Sequence, residues 1–284
     1  MHNNYYFLKQ LTQALQKRLL HFRIATCFSQ SKDELIIGLE QNGKEQYIKA
    51  TLTAHFSALS FPDTFHRARA NSVNLFKDMI GEKVLAIVQH PNERSFQLNL
   101  SNNKVLLFKL FGNRSNILLY HHNEPVSIFH KKFEKDLLLQ PEQMGRSLST
   151  DFETFLQKEG KVQALYPTFG DLPQKYLTAK GYDQADVQQK WELLQQVVEQ
   201  LEHPQQFYLI KEEAKLRLSL LPYADKEEQY ADPVEAVNAF VRRYLSEHAY
   251  NILHQSVAQN LSRRLHVAET VLAQATAKQK ELQH

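Results

Sequence analysis

Residues 83–120 read KVLAIVQHPNERSFQLNLSNNKVLLFKLFGNRSNILLY. Four short apolar or alternating runs, 83–89, 95–100, 105–111 and 116–120, are separated by Pro91-Asn92, Ser101-Asn102-Asn103 and Gly112-Asn113, all turn formers. Phe96, Leu98 and Leu100 alternate with Gln97 and Asn99, the pattern of an antiparallel strand buried on one face. A run of consecutive antiparallel strands follows from this spacing.

Working toward the N-terminus, the segment 71–80 is expected to form a helix that ends before Gly81. Strands are expected at 23–28, 34–39 and 46–52, the last two joined through Asn42-Gly43, a strong hairpin signal. Leu8, Leu11, Leu15 and Leu19 recur at helical steps and predict an opening amphipathic helix.

Past residue 145 the character turns helical. Segments 152–156, 172–179 and 191–201 carry helical spacing, punctuated by Pro167, Gly170, Gly181 and Pro204. A short hairpin is expected from 207–210 and 216–221. Asp232-Pro233-x-Glu235 then combines an N-cap acid, a first-turn proline and a following acid. No Gly or Pro occurs from there to His284, so about 52 residues extend into one helix of roughly 78 Å. Ala258, Leu261, Leu265, Ala268, Leu272, Ala275, Gln279 and Leu282 form a heptad seam, which points to a coiled-coil arm; the alternative, a long helix packed on its own domain, would need apolar surface away from the seam, and 262–284 have little. The pattern stops without a C-cap, so the arm is expected to continue. The expected fold is α+β: a mostly antiparallel domain with two helices at 1–145, a helical domain at 146–231 and the coiled-coil helix at 232–284.

Composition limits the function classes. The 284 residues carry 34 Lys plus Arg against 31 Asp plus Glu. Residues 1–135 hold 18 basic and 10 acidic side chains, a balance of +8, which fits a polyanionic partner and equally an ordinary solvated basic surface. The remainder balances at −5. With 17 Phe and 12 Tyr and a mean hydropathy of −0.48, the chain is too aromatic for a disordered one and too polar for a membrane-embedded one. The opening Met1-His2-Asn3-Asn4-Tyr5 has neither the basic nor the apolar region of a secretory signal, and the single Cys27 precludes an internal disulfide framework. A cytoplasmic protein that makes no contact with membrane is expected.

No catalytic or cofactor-binding constellation is evident. Gly38-x-x-x-x-Gly43-Lys44 resembles a phosphate loop, but Glu45 replaces the hydroxyl ligand and strands flank it, so a hairpin turn is the better reading. The histidines are badly spaced for metal, and His121-His122 on one strand are expected to point to opposite faces. Three polar groupings remain: Asn92-Glu93-Arg94 in a turn; Asn113, Arg114, Ser115 and Asn116 after Gly112, a candidate phosphate cradle; and the basic cluster of Lys131, Lys132 and Lys135 beside His130. Each also has an ordinary explanation: a surface ion pair, a hairpin connection and a solvated face.

Taken in order, these features resemble the N-terminal part of the NFACT family. The residues that carry the likeness are Phe7-Leu8-x-x-Leu11 through Arg23-Ile24, Asn74-Leu75-Phe76-Lys77 with Gly81-x-Lys83-Val84, Asn92-Glu93-Arg94, and Phe111-Gly112-Asn113-Arg114-Ser115-Asn116-Ile117-Leu118. The resemblance implies a domain like formamidopyrimidine-DNA glycosylase, then a helix-hairpin-helix domain and a long coiled coil. It also implies binding of tRNA and of a stalled large ribosomal subunit carrying peptidyl-tRNA, with alanine tRNA recruited for C-terminal tailing. The acidic-Arg pair that the family uses for tRNA maps onto Glu93 and Arg94.

Glycosylase chemistry would need a proline amine after the initiator methionine and an adjacent glutamate, where this chain has His2 and Asn3, so no enzyme is expected. Two competing functions are a fibronectin-binding adhesin and a coiled-coil scaffold that binds no RNA. Self-association through the heptad seam is a further expected partnership.

Overall fold

The computed structural model describes residues 1–213, 215–223 and 225–281. Asn4 opens the first helix, α1 (Tyr5–Leu19), by accepting a hydrogen bond from the Tyr6 amide at 2.9 Å. Lys17 and Arg18 sit in its last turn, where positive charge suits the helix dipole. The predicted stripe is the buried one: Leu8, Leu11, Leu15 and Leu19 are all 2% exposed or less, and Phe7 joins them. Each such side chain contributes about 1.5–3 kcal/mol of burial.

Strands β1 (Arg23–Ser31), β2 (Glu34–Gln41), β3 (Lys44–Leu52) and β4 (Ser57–Ser60) form an antiparallel sheet, with β5 (Val73–Asn74) on the far side of β1. Asn42 and Gly43 take φ of 52° and 79°, the tight hairpin that their identity predicts. The Gly38-to-Lys44 segment is therefore a strand and a turn.

The helix expected over 71–80 is absent. Val73 and Asn74 pair with Ser29 and Phe28, and only a 3-10 turn follows at Lys77–Met79. Phe76 has φ of 47°, left-handed backbone that interrupts any right-handed helix. Its ring is 5% exposed, so burial of an aromatic side chain outweighs the helical spacing around it.

The second sheet is the meander: β6 (Val84–Gln89), β7 (Ser95–Leu100), β8 (Lys104–Lys109), β9 (Asn116–His121) and β10 (Glu124–Ile128), in sequential order. Asn102 and Asn103 (φ 55° and 53°) turn the chain between β7 and β8. His122 and Asn123 (φ 50° and 65°) turn it between β9 and β10. His122 thus lies in a turn, not on the strand with His121, and the two rings sit 4.4 Å apart. Phe96 and Phe108 stack across β7 and β8 at 4.7 Å with no exposed surface. Helix α1 packs on β6 and β7, and a bridge between Arg23 and Lys83 ties the two sheets.

Beyond them lie α2 (Phe152–Gln157), α3 (Val162–Leu165), α4 (Asp171–Ala179) and α5 (Val187–Glu202), the last opened by a capping box of Asp186 and Gln189. The expected hairpin is β11 (Phe207–Glu212) with β12 (Lys215–Ser219), and β13 (Asp225–Tyr230) adds a third strand to β11.

Helix α6 (Pro233–Glu281) starts where Asp232 accepts from the amides of Val234 and Glu235. The chain divides into two units, 1–241 and 242–284. The first buries Val234, Val237 and Phe240 of α6. The second is helical through Glu281 and exposes the seam: Leu261, Leu265 and Leu272 are 60–69% exposed. Leu282 lies outside the described residues. Among those residues no helix is long and apolar enough to cross a membrane.

Candidate nucleic-acid interface

The site begins at the turn between β6 and β7. Asn92 takes φ of 53° and the Glu93 amide donates to the His90 carbonyl at 3.3 Å, which brings Glu93 and Arg94 to one end of the sheet. The turn is held from a distant part of the chain. The Arg146 amide donates to the Pro91 carbonyl at 2.8 Å, and the Asn92 side-chain amide donates to the Arg146 carbonyl at 2.9 Å. Arg146 Nε then meets Glu93 Oε1 at 2.5 Å.

Gly145 makes this approach possible. Its φ is 115°, and a Cβ there would lie 2.9 Å from Pro91 Cδ. Glu93 therefore pairs with Arg146 and not with its neighbour. Arg94 is exposed, anchored by its carbonyl to the Leu110 amide, and its guanidinium lies 5.8 Å from the centre of the Phe111 ring. It has no carboxylate partner among the described residues.

Glu93, Arg94 and Arg146 line a cleft of about 440 Å³ whose other walls include Asn4, Thr168, Gly170, Asp171 and Arg217. Asn4 fixes the far wall: besides capping α1, it donates to the carbonyls of Thr168 and Phe169 at 2.9 and 3.0 Å. Arg217 sits within 2.8 Å of both Asp171 oxygens and also binds Glu212. Burial alone would raise the Asp171 carboxyl, but the Arg217 guanidinium holds it below its usual value. Three guanidiniums thus face the cleft against two carboxylates, both already paired. The sequence by itself points to Glu93 and Arg94 alone. Arg146, Asp171 and Arg217 come from distant segments, and the only local sign is Gly145 before an arginine.

The other sequence-predicted residues divide. The strand β9 opens on Asn116, which is fully buried. Its Nδ2 donates to Asp136 Oδ2 at 3.0 Å, and its Oδ1 accepts from the His130 amide at 2.8 Å. Asp136 in turn pairs with the buried Lys109. Ser115 is 2% exposed and its hydroxyl donates to the Gly112 carbonyl at 2.7 Å. The expected phosphate cradle is corrected accordingly: Ser115 and Asn116 turn inward and clamp the connection, because a buried polar network outweighs solvent contact. Asn113 and Arg114 remain exposed on the 3-10 turn Gly112–Arg114. Lys131 and Lys132 are exposed as well, with Lys132 Nζ 4.8 Å from the Phe133 ring centre. None of these four lines the cleft; Phe111, which carries Arg94, precedes the Asn113–Arg114 turn directly. Among the described residues no group of three or more His, Cys, Asp or Glu is arranged to hold a metal ion.

Residues 4–136 match the family model described as NFACT N-terminal and middle domains. The fold is similar to the crystal structure of the fibrinogen binding protein from Staphylococcus aureus (TM-score 0.64, 16% identity, covering 84% of this chain and 99% of that one). It is also similar to the N-terminal part of the fibronectin/fibrinogen-binding protein from Streptococcus suis (TM-score 0.62, 14% identity, 84% and 99%). None of the curated proteins compared by sequence matches. The sheets and helix that present Glu93 and Arg94 lie within the residues that match this family model.

Proposed function

We propose that the protein is a non-enzymatic, cytoplasmic RNA-binding factor of ribosome quality control that engages tRNA through the cleft around Arg94. Its wider partners in this reading are the large ribosomal subunit with peptidyl-tRNA and an alanine tRNA for tailing, with self-association through the heptad seam. The observation that carries the reading is the state of the charges. Glu93 is neutralised by Arg146 and Asp171 by Arg217, so Arg94 is left exposed with its guanidinium available to a phosphate or base edge. The basic balance of residues 1–135 extends the attraction beyond the cleft.

Arg94→Ala should weaken tRNA binding by about 1–3 kcal/mol and lower the magnitude of the salt slope by about one. The melting temperature should hardly move, since the side chain is exposed. Glu93→Ala should also weaken binding, because it releases Arg146 from its place in the wall. Unchanged affinity in Arg94→Ala, or tighter binding in Glu93→Ala, would remove the assignment. The similar structures are named for fibrinogen and fibronectin binding, and immobilised fibronectin tests that second function: specific retention abolished by Arg94→Ala would replace tRNA as the ligand of the cleft.

A further inference from the structure

The chain between β4 and β5 packs against β1 and β3 and builds a basic, aromatic surface there. Gly38 leaves the middle of β2 bare: a Cβ would come within 2.6 Å of Thr26 Oγ1 and 3.3 Å of Tyr47 Cε1, so the edge of the Tyr47 ring closes on the strand at the glycine. The Tyr47 hydroxyl is fixed to Glu45 at 2.6 Å. Phe65 from the β4–β5 segment sits between this ring and that of Phe28, with centroids 6.2 and 5.8 Å away. Arg67 covers Phe28, its guanidinium carbon 4.5 Å from the ring centre, and its Nε donates to Ser72 Oγ at 2.6 Å. Ala68 donates its amide to Gln30 Oε1, which pins the segment to β1. Lys49 Nζ lies 5.9 Å from the Phe65 ring and is paired with Glu34.

His66, Arg67 and Arg69 are all exposed, and no carboxylate pairs with any of them among the described residues. A guanidinium already stacked and hydrogen-bonded at Nε is preorganised, and on an exposed residue such as Arg67 it still has donors to offer a ligand. Half-buried rings beside the unpaired guanidiniums of Arg67 and Arg69 match the chemistry of a nucleic-acid single strand: bases stack on the rings and phosphates meet the guanidiniums. An acidic protein surface would use the cations but has no use for the ring platform.

We propose that this face, made by Tyr47, Phe65, His66, Arg67 and Arg69, is a second RNA-binding site that takes a single-stranded segment. The inference shares with the cleft reading only the class of partner, since it rests on different residues.

The test uses a short labelled oligouridylate and intact tRNA, titrated at two salt concentrations against the full chain. The double variant His66→Ala/Arg69→Ala removes exposed side chains that pair with no carboxylate and so leaves the melting temperature unchanged. It should weaken oligouridylate binding at least fivefold and reduce the magnitude of the salt slope by about 0.7 for each phosphate no longer neutralised. Phe65→Leu should weaken it by a similar factor with an unchanged slope, because stacking releases no counterions. Arg94→Ala should leave oligouridylate affinity as it was, even where its tRNA affinity falls, so failure of one site is distinguishable from failure of the other. Wild-type oligouridylate affinity in the double variant overturns the proposal. So does wild-type affinity in Phe65→Leu, or competition by poly-glutamate as strong as by unlabelled RNA, which would mark a surface for acidic proteins.

Discussion

At the scale of single residues, the candidate cleft depends on a glycine that bears no functional group. Gly145 has a positive φ and lies close enough to Pro91 that any Cβ would meet the ring at 2.9 Å and the Pro91 backbone nitrogen and oxygen at 3.3 Å. Gly145→Ala is expected to lower stability by about 1–3 kcal/mol, the usual range for strained backbone. It should also weaken tRNA binding more than its stability loss explains, because Arg146 can no longer hold Glu93. Denaturant unfolding and tRNA titration of the same variant check this together; full affinity at reduced stability would show that the close approach of Gly145 to Pro91 does not shape the cleft. Residue-level logic of this kind is invisible in the sequence. Glu93 beside Arg94 reads as a local pair, whereas the true partner lies 53 positions on and only the folded chain brings it near.

Among elements, the meander is the most legible part, since alternation and turn residues are local signals and four of its five strands lie where the pattern puts them. What the pattern misses are elements whose determinants are not local. The 71–80 segment carries helical spacing but lends two residues to the edge of a sheet and buries Phe76 instead. Strand β13 reads DKEEQY, with no apolar alternation to betray it, and forms because β11 offers an edge. The same limit applies to the start of β9. Four polar residues after a glycine look solvated, yet Asn116 makes hydrogen bonds to Asp136, the His130 backbone and the Ile117 amide. Asn116→Ala would strand the Asp136 oxygen and the His130 amide, each costing about 1–3 kcal/mol if left unpaired. A loss of roughly 2–6 kcal/mol by denaturant unfolding is expected, with the salt slope of RNA binding unchanged. A variant that keeps its stability but loses a unit of slope would return Asn116 to the role of phosphate ligand.

Across the whole of the first unit, three histidines are built in as neutral side chains. His2 is the extreme case: burial, then the adjacent amino terminus, push its imidazole down to about 3. It stacks on Phe240 at 4.8 Å, lies 5.4 Å from Phe56 and donates from Nε2 to the Ser57 carbonyl at 3.0 Å. This one ring therefore joins the start of the chain to β4 and to the first turns of α6. His90 and His130 are also lowered, burial being the leading cause in both. A histidine whose folded value lies below its unfolded 6.5 binds a proton more readily once unfolded. Its contribution is therefore complete above pH 6.5 and is lost as the pH falls toward the folded value. For His2 the window runs from about pH 6.5 down to about pH 3, and between pH 7 and pH 4 the loss amounts to roughly 3 kcal/mol. His2→Phe keeps a ring between Phe56 and Phe240 and removes the titration, at the cost of the hydrogen bond to Ser57, about 1 kcal/mol. The variant is expected to be slightly less stable than the wild type at pH 7 and more stable at pH 4, so their curves of unfolding free energy against pH should cross. Parallel curves would mean that His2 is protonated in the folded state and that the ring does not form the neutral joint between these three elements.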